Sequence, residues 1–162
     1  YIELYLNGNK VGRKRVEDFV ALFKVKYKSG TLKAVALDSN KREISESKLS
    51  SGKKVTLKVQ TDKTKLKTGE LAFIHIKFVD ENGNIVPYVE QQVDLQLIGE
   101  SVYLQGFGSA QVKTDETYNN PYHNSFRGSC LAAVRAGTIK GQTRILIKTK
   151  NHITQEIMIE VE

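Results

Sequence analysis

The chain has 162 residues, 40% of them hydrophobic and 27% charged, a balance that supports a packed core and excludes intrinsic disorder. Its formal net charge of +7 is concentrated in the first third, where Lys and Arg outnumber Asp and Glu by roughly two to one. Such basicity marks a solvated face. A nucleic-acid partner would also need aromatic stacking platforms or a reading motif, and neither is present. No stretch reaches the ~20 apolar residues of a membrane span, so membrane insertion is not expected.

The chain opens on Tyr1, already part of a strand pattern, which predicts a piece of a longer protein. In Tyr1 to Leu6 the apolar Ile2, Leu4 and Leu6 share one face, and Asn7-Gly8 predicts a hairpin because both residues tolerate positive φ. Phe19 to Tyr27 places Phe19, Ala21, Phe23, Val25 and Tyr27 on one face and predicts a strand, turned by Ser29-Gly30 into a second over Thr31 to Leu37. Asp38 to Lys41 predicts the next turn. From Ser45 to Lys54 the pattern fades into Ser, Lys and Gly, a linker composition that places a boundary near Gly52.

Alternation resumes at Val55, Leu57 and Val59 and strengthens at Ala72, Ile74, Ile76 and Phe78, before a turn over Asp80 to Asn84. Val93, Leu95 and Leu97 follow, then Val102 and Leu104, Cys130 to Ala136, Thr143 to Lys148, and Ile157 to Val161. About seven strands result, the number a sandwich needs. No window carries a sustained helical stripe, so the fold class is all-β. Gly106 to Gly128 interrupts the pattern with Tyr118, Asn119, Tyr122, His123, Phe126 and Arg127. Loops beyond ~12 to 15 residues are functional, packed on a neighbour, or mobile.

Reaction chemistry is sparse. Gly106-Phe107-Gly108 lacks the third glycine and the helix of a dinucleotide site, and Ser51-Gly52-Lys53-Lys54 lacks the upstream glycine and the hydroxyl of a phosphate loop. His75, His123 and His152 have no partner at metal-ligand spacing, so no metal and no cofactor is expected. Of the three, only His123 lies in the long loop. Cys130, the single cysteine, cannot form an internal disulfide, and it opens an apolar strand where a free thiol behaves as a small buried hydrophobe. Glycosidic hydrolysis needs two carboxylates flanking the bond. Asp80 with Glu81 and Asp115 with Glu116 lie in turns or loops, where acidic residues serve solubility, so no catalytic residue is assigned.

The segments YIELYLNGNKVG (1–12) and SGTLKAVALDSNKREI (29–44) resemble the small sandwich module that follows the catalytic barrel in family 2 glycoside hydrolases. DENGNIVP (80–87), GFGSA (106–110) and SFRGSCLAAVRAG (125–137) resemble the next module of those enzymes, a bacterial immunoglobulin-like domain also similar to invasin-type repeats. Members often carry a proline after the GFGSA turn, where this chain has Gln111 and Val112, so the path of the loop departs from the pattern.

The resemblance implies two immunoglobulin-like β-sandwich modules in tandem, residues 1–52 and 53–162, with the opening strand of the first lying upstream of Tyr1. It implies a non-catalytic C-terminal region of a retaining β-galactosidase-type hydrolase whose two glutamates lie in an upstream barrel. It also implies a bacterial protein placed outside the cell, on its surface or in the periplasm, with a cytoplasmic site as the alternative. Tyr118, Asn119, Tyr122, His123, Phe126 and Arg127 are the expected docking residues, against the barrel of the parent chain or a second copy. Two alternatives stand beside this reading. The same loop could serve an accessory carbohydrate-binding module, with a tyrosine stacked on a sugar, although the chain has no tryptophan. A bacterial surface adhesin repeat is the other.

Overall fold

A computed structural model of the chain describes residues 1–52, 54–150 and 154–162. Lys53 of the phosphate-loop-like stretch and His152, the third histidine, lie outside the described residues. The described residues form strands, turns and irregular segments and contain no helix. They divide into two compact units, Tyr1–Lys54 and Val55–Glu162.

The first unit is one antiparallel sheet in the order β2-β1-β3-β4. Its strands are β1 (Ile2–Leu6), β2 (Asn9–Lys14), β3 (Gly30–Leu37) and β4 (Glu43–Ser51). Asn7 and Gly8, with φ of 51° and 80°, make the β1–β2 hairpin expected of Asn-Gly. The Asn7 side chain then ties the hairpin to the start of β3: its Nδ2 donates to Ser29 O at 3.0 Å and its Oδ1 accepts from Thr31 N at 2.7 Å. Gly30, at φ 128°, leaves room for that side chain, because a Cβ there would fall 1.9 Å from Asn7 Oδ1.

Two expectations are corrected here. Glu43–Ser51 is a strand paired with β3 along its whole length, not a linker. Its side chains are mostly exposed, so ladder hydrogen bonds hold it without the apolar alternation that marks a half-buried strand. Conversely, Phe19 to Tyr27 alternates like a strand but joins no ladder beyond a single Glu17–Val20 bridge. Phe23 instead lies beside β2, under Lys14 Nζ at 5.6 Å from the ring centroid, and Tyr27 Oη reaches Ser51 Oγ at the end of β4. Alternation supplies a face, but a strand also needs a neighbour to receive its backbone groups.

One face of the first sheet centres on a carboxylate. Glu3 is nearly buried and accepts hydrogen bonds from Tyr5 Oη, Lys10 Nζ and Arg13, whose Nε lies 2.7 Å from Oε1. Lys10 foremost, then Tyr5 and Arg13, holds its pKa down to about 2.

The second unit is a two-layer sandwich. One sheet has the order β5-β7-β11-β9, from β5 (Val55–Thr61), β7 (Leu71–Asp80), β11 (Ser129–Ala136) and β9 (Val102–Gly108). The other has the order β10-β8-β12-β13-β6, from β10 (Tyr122–Asn124), β8 (Gln92–Ile98), β12 (Gly141–Thr149), β13 (Thr154–Val161) and β6 (Lys65–Leu66). All pairings are antiparallel except β6 with β13. The inward faces of Ile74, Ile76 and Phe78 on one sheet, and of Ile145, Ile147 and Ile159 on the other, are completely buried in one core. Cys130 lies in that core, and burial pushes its thiol up to about 12, which leaves it no nucleophilic role. Gly106 to Gly108, expected as a turn, continues β9 and inserts Phe107 into the core.

The depressed Glu3 pKa fixes the sign of a pH dependence. Its contribution to stability is complete above the ordinary carboxylate value near 4.5 and is lost as pH falls towards 2. Glu3→Gln is therefore expected to lower the melting temperature of the chain at pH 6, with the gap to the parent closing between pH 4.5 and 2.5. A gap that does not change with pH would show that Glu3 acts through packing alone.

Candidate functional site

The segment 109–121, between β9 and β10, is clamped at several points. Phe107 N donates to Tyr118 O and Leu95 N to Pro121 O, both at 2.7 Å. Glu116 turns inward: its Oε1 accepts from Asn124 N at 3.0 Å and Asn124 Nδ2 at 2.9 Å. These bonds fold the loop back against β8, β9 and β10, so its length reflects local packing onto its own unit.

His123 is the centre of the clamp. It sits on β10 opposite Val93 of β8 and is fully buried. Its Nδ1 lies 2.9 Å from Asn124 O and 3.4 Å from Glu116 Oε2; because the carbonyl can only accept, Nδ1 carries the proton. The Tyr118 ring stacks on the imidazole, centroids 6.0 Å apart and planes within 8°, while Phe107 approaches at a tilt of 54°. Tyr118 lies directly over Gly108, where a Cβ would meet its ring at 2.5 Å.

The loop residues singled out in the sequence separate into different environments. Tyr118, Asn119, Tyr122 and Arg127 are exposed and Phe126 is half-buried. His123 is corrected from a surface contact to an internal brace, since a side chain with no exposure cannot reach a glycan. Arg127 and Phe126 belong to a second feature, the Phe126–Ser129 hairpin, where the guanidinium lies 5.3 Å from the ring centroid. Gly128, at φ 75°, passes so close to Val86 that a Cβ would fall 2.5 Å from its carbonyl oxygen. The structure thus unites Tyr118 with His123, and Phe126 with Arg127.

Beside Tyr118 an open groove of about 570 Å³ runs over the outer face of β9, β11 and β7. Gly106, Gly108, Leu131 and Ala133 supply apolar floor, and His75, Lys77 and Gln105 supply polar walls. Sequence reasoning set aside Gly106, Gly108 and His75 as dinucleotide or metal residues and did not single out Lys77, Gln105, Leu131 or Ala133. The available signal was that β11 is apolar on both faces, with Leu131 and Ala133 alternating against buried Cys130, Ala132 and Val134. Among the described residues, no group of three or more His, Cys, Asp or Glu is placed to hold a metal ion.

Fold and loop define a tandem of all-β modules, an immunoglobulin-like sandwich preceded by a smaller sheet. The chain belongs to the family described as glycoside hydrolase family 2 C-terminal domain 5, whose model matches residues 56–158. A second family model, described as a domain of unknown function (DUF4982), matches residues 1–45. The beta-galactosidase BoGH2A of Bacteroides ovatus is 24% identical over 161 residues, covering 97% of this chain and 19% of that protein. A glycosyl hydrolase family 2 member from Bacteroides cellulosilyticus superimposes with a TM-score of 0.83 at 27% identity, over 98% of this chain and 22% of that one. A beta-glycosidase from Bacteroides vulgatus shares the fold, with a TM-score of 0.76 at 22% identity over 99% of this chain and 21% of that one. The chain therefore spans about a fifth of the length of these relatives and corresponds to an accessory, non-catalytic region of family 2 enzymes.

Gly108→Ala is expected to displace the Tyr118 ring and destabilise the chain by about 1–3 kcal/mol, the usual range for overpacking. Urea unfolding measures the loss. Tyr118→Ala in the same background should recover part of it, and strict additivity of the two substitutions would remove Tyr118 as the cause.

Proposed function

We propose that the chain is the C-terminal accessory part of a longer bacterial glycoside hydrolase acting on β-galactosides or related β-glycosides, and that it buttresses the catalytic region or a second copy of the enzyme. The observation that carries this reading is the match of nearly the whole chain to about a fifth of a family 2 beta-galactosidase and of a solved family 2 hydrolase. The clamped loop is consistent with such a role, because a support surface must be held rigid before its partner arrives. The exposed Tyr118 on that loop, Tyr122 on β10 and Arg127 on the neighbouring hairpin are residue types that anchor interfaces. We further propose that the protein works outside the cytoplasm, with a cytoplasmic site as the alternative.

A second reading is favoured by the groove beside Tyr118. Its apolar floor and polar walls match the two-sided chemistry of a sugar ring, and the side chains of His75, Lys77 and Ser109 on its lining make no hydrogen bond among the described residues. That arrangement describes an accessory carbohydrate-binding module.

Two measurements separate the readings. Removing the 162-residue region from the longer enzyme is expected to lower its melting temperature or break its assembly, and a truncated enzyme of unchanged stability, assembly and activity would count against the buttress. A glycan array probed with the chain tests the second reading. A hit that weakens at least tenfold on Tyr118→Ala would establish sugar binding, and a blank array with folded protein would eliminate it for the glycans displayed.

A further inference from the structure

In the first unit the backbone reverses at Glu17–Val20 through two reciprocal hydrogen bonds, Glu17 N to Val20 O at 3.0 Å and Val20 N to Glu17 O at 2.8 Å. The two residues between them, Asp18 and Phe19, both lie in the left-handed region, with φ of 48° and 64°. Turns of this kind select Asn and Gly, because a left-handed backbone crowds a Cβ against the neighbouring carbonyl. Aspartate tolerates that conformation, whereas phenylalanine is a poor choice for it. Phe19 is nonetheless fully exposed, and Val16, Val20 and Leu22 around it are exposed as well. A strained bulky residue held where it touches nothing is a signature of a contact made elsewhere.

The electrostatics point the same way. Residues 1–54 contain 13 Lys and Arg against 6 Asp and Glu, a net +7, while residues 55–162 contain 12 of each. The entire formal charge of the chain therefore belongs to the first unit. Lys14 and Arg15 share a depression with Glu17, Asp18 and Val20 at the foot of the turn, and Lys24 lines the adjoining one with Leu22 and Phe23. Arg15, Lys24, Lys26 and Lys28 make no ion pair among the described residues, in contrast to Lys10, Arg13, Lys33 and Lys48, which do.

We propose that the Glu17–Val20 turn is a docking tongue whose Phe19 enters an apolar pocket rimmed by acidic side chains on the catalytic region of the longer chain. This rests on the buttress reading above and names its contact. The occupant follows from complementarity. A second copy of the first unit would bring another +7 against this one, which disfavours self-association through the tongue. A flat anionic bilayer would meet Glu17 and Asp18 at the tip together with Phe19, whereas a pocket can place its acidic side chains beside the foot of the turn alone. A protein pocket can take the ring while its acidic rim meets Lys14, Arg15 and Lys24 at the foot. About four fifths of the relatives' length lies outside the matched region.

Hydrogen exchange over residues 15–24 tests the assignment, compared between the 162-residue chain and the longer enzyme. At least a tenfold slowing is expected in the longer enzyme, reversed by Phe19→Gly and weakened by the double substitution Lys14→Glu, Arg15→Glu. Phe19→Gly relieves the left-handed strain, so the melting temperature of the 162-residue chain should hold or rise, which separates lost docking from lost folding. Equal exchange in the two proteins overturns the tongue. So does protection that depends on the concentration of the isolated chain, which marks a second copy, or protection by phosphatidylserine vesicles, which marks a membrane. If deleting the whole region destabilises the longer enzyme while Phe19→Gly does not alter exchange, the tongue alone fails. If the deletion has no effect, the buttress fails with it.

Discussion

The apolar layer between the two sheets of the second unit governs what every other segment of that unit can do. Ile74, Ile76 and Phe78 on β7 face Ile145 and Ile147 on β12 and Ile159 on β13 within one buried cluster. Each such side chain contributes ~1.5–3 kcal/mol when taken from water, and strand registers follow, since a slip of one residue would turn the whole set outward. With no disulfide available to Cys130, this burial and the ladder hydrogen bonds carry the fold. The groove over β9, β11 and β7 is a secondary result: once alternate residues commit to the core, Gly106, Gly108, Leu131 and Ala133 are left on the outer face.

The same constraint explains the long segment between β9 and β10. Phe107 enters the core from β9, and His123 is drawn inward on β10, where an imidazole must satisfy at least one nitrogen. Asn124 O and Glu116 meet Nδ1, and Tyr118 closes over the ring. Nε2 has no partner among the described residues, so the brace is held from one side of the ring. A loop whose polar length suggests mobility is thereby fixed by one buried polar residue, and the exposed Tyr118 is displayed from a rigid base.

Legibility in the sequence follows how directly side-chain periodicity reports burial. The strands β7, β8, β12 and β13 are readable because one face meets the core and the other meets water, which writes period two into the residue types. The strand β4 is hidden because both of its faces are largely exposed, so Glu, Ser and Lys occupy nearly every position while the backbone pairs with β3. Phe19 to Tyr27 misleads for the opposite reason, carrying the alternation without a ladder. In the loop, sequence drew attention to Tyr118 and His123. It could not show that one lies over the other, because their contact depends on the paths of β9 and β10, which are non-local.

The two units therefore differ in how completely they satisfy themselves. The second unit has equal numbers of acidic and basic residues and a closed two-layer core. The first has a single sheet among the described residues, and carries all of the net charge and a cluster of exposed apolar side chains at Val16, Phe19, Val20 and Leu22. Leu4, Val35 and Leu37 are its only buried apolar residues among those described. One layer of sheet buries little apolar surface, and a unit of this size is marginal without a further layer or partner. Stability in the second unit is internal, whereas the first has unsatisfied surface that a partner could cover.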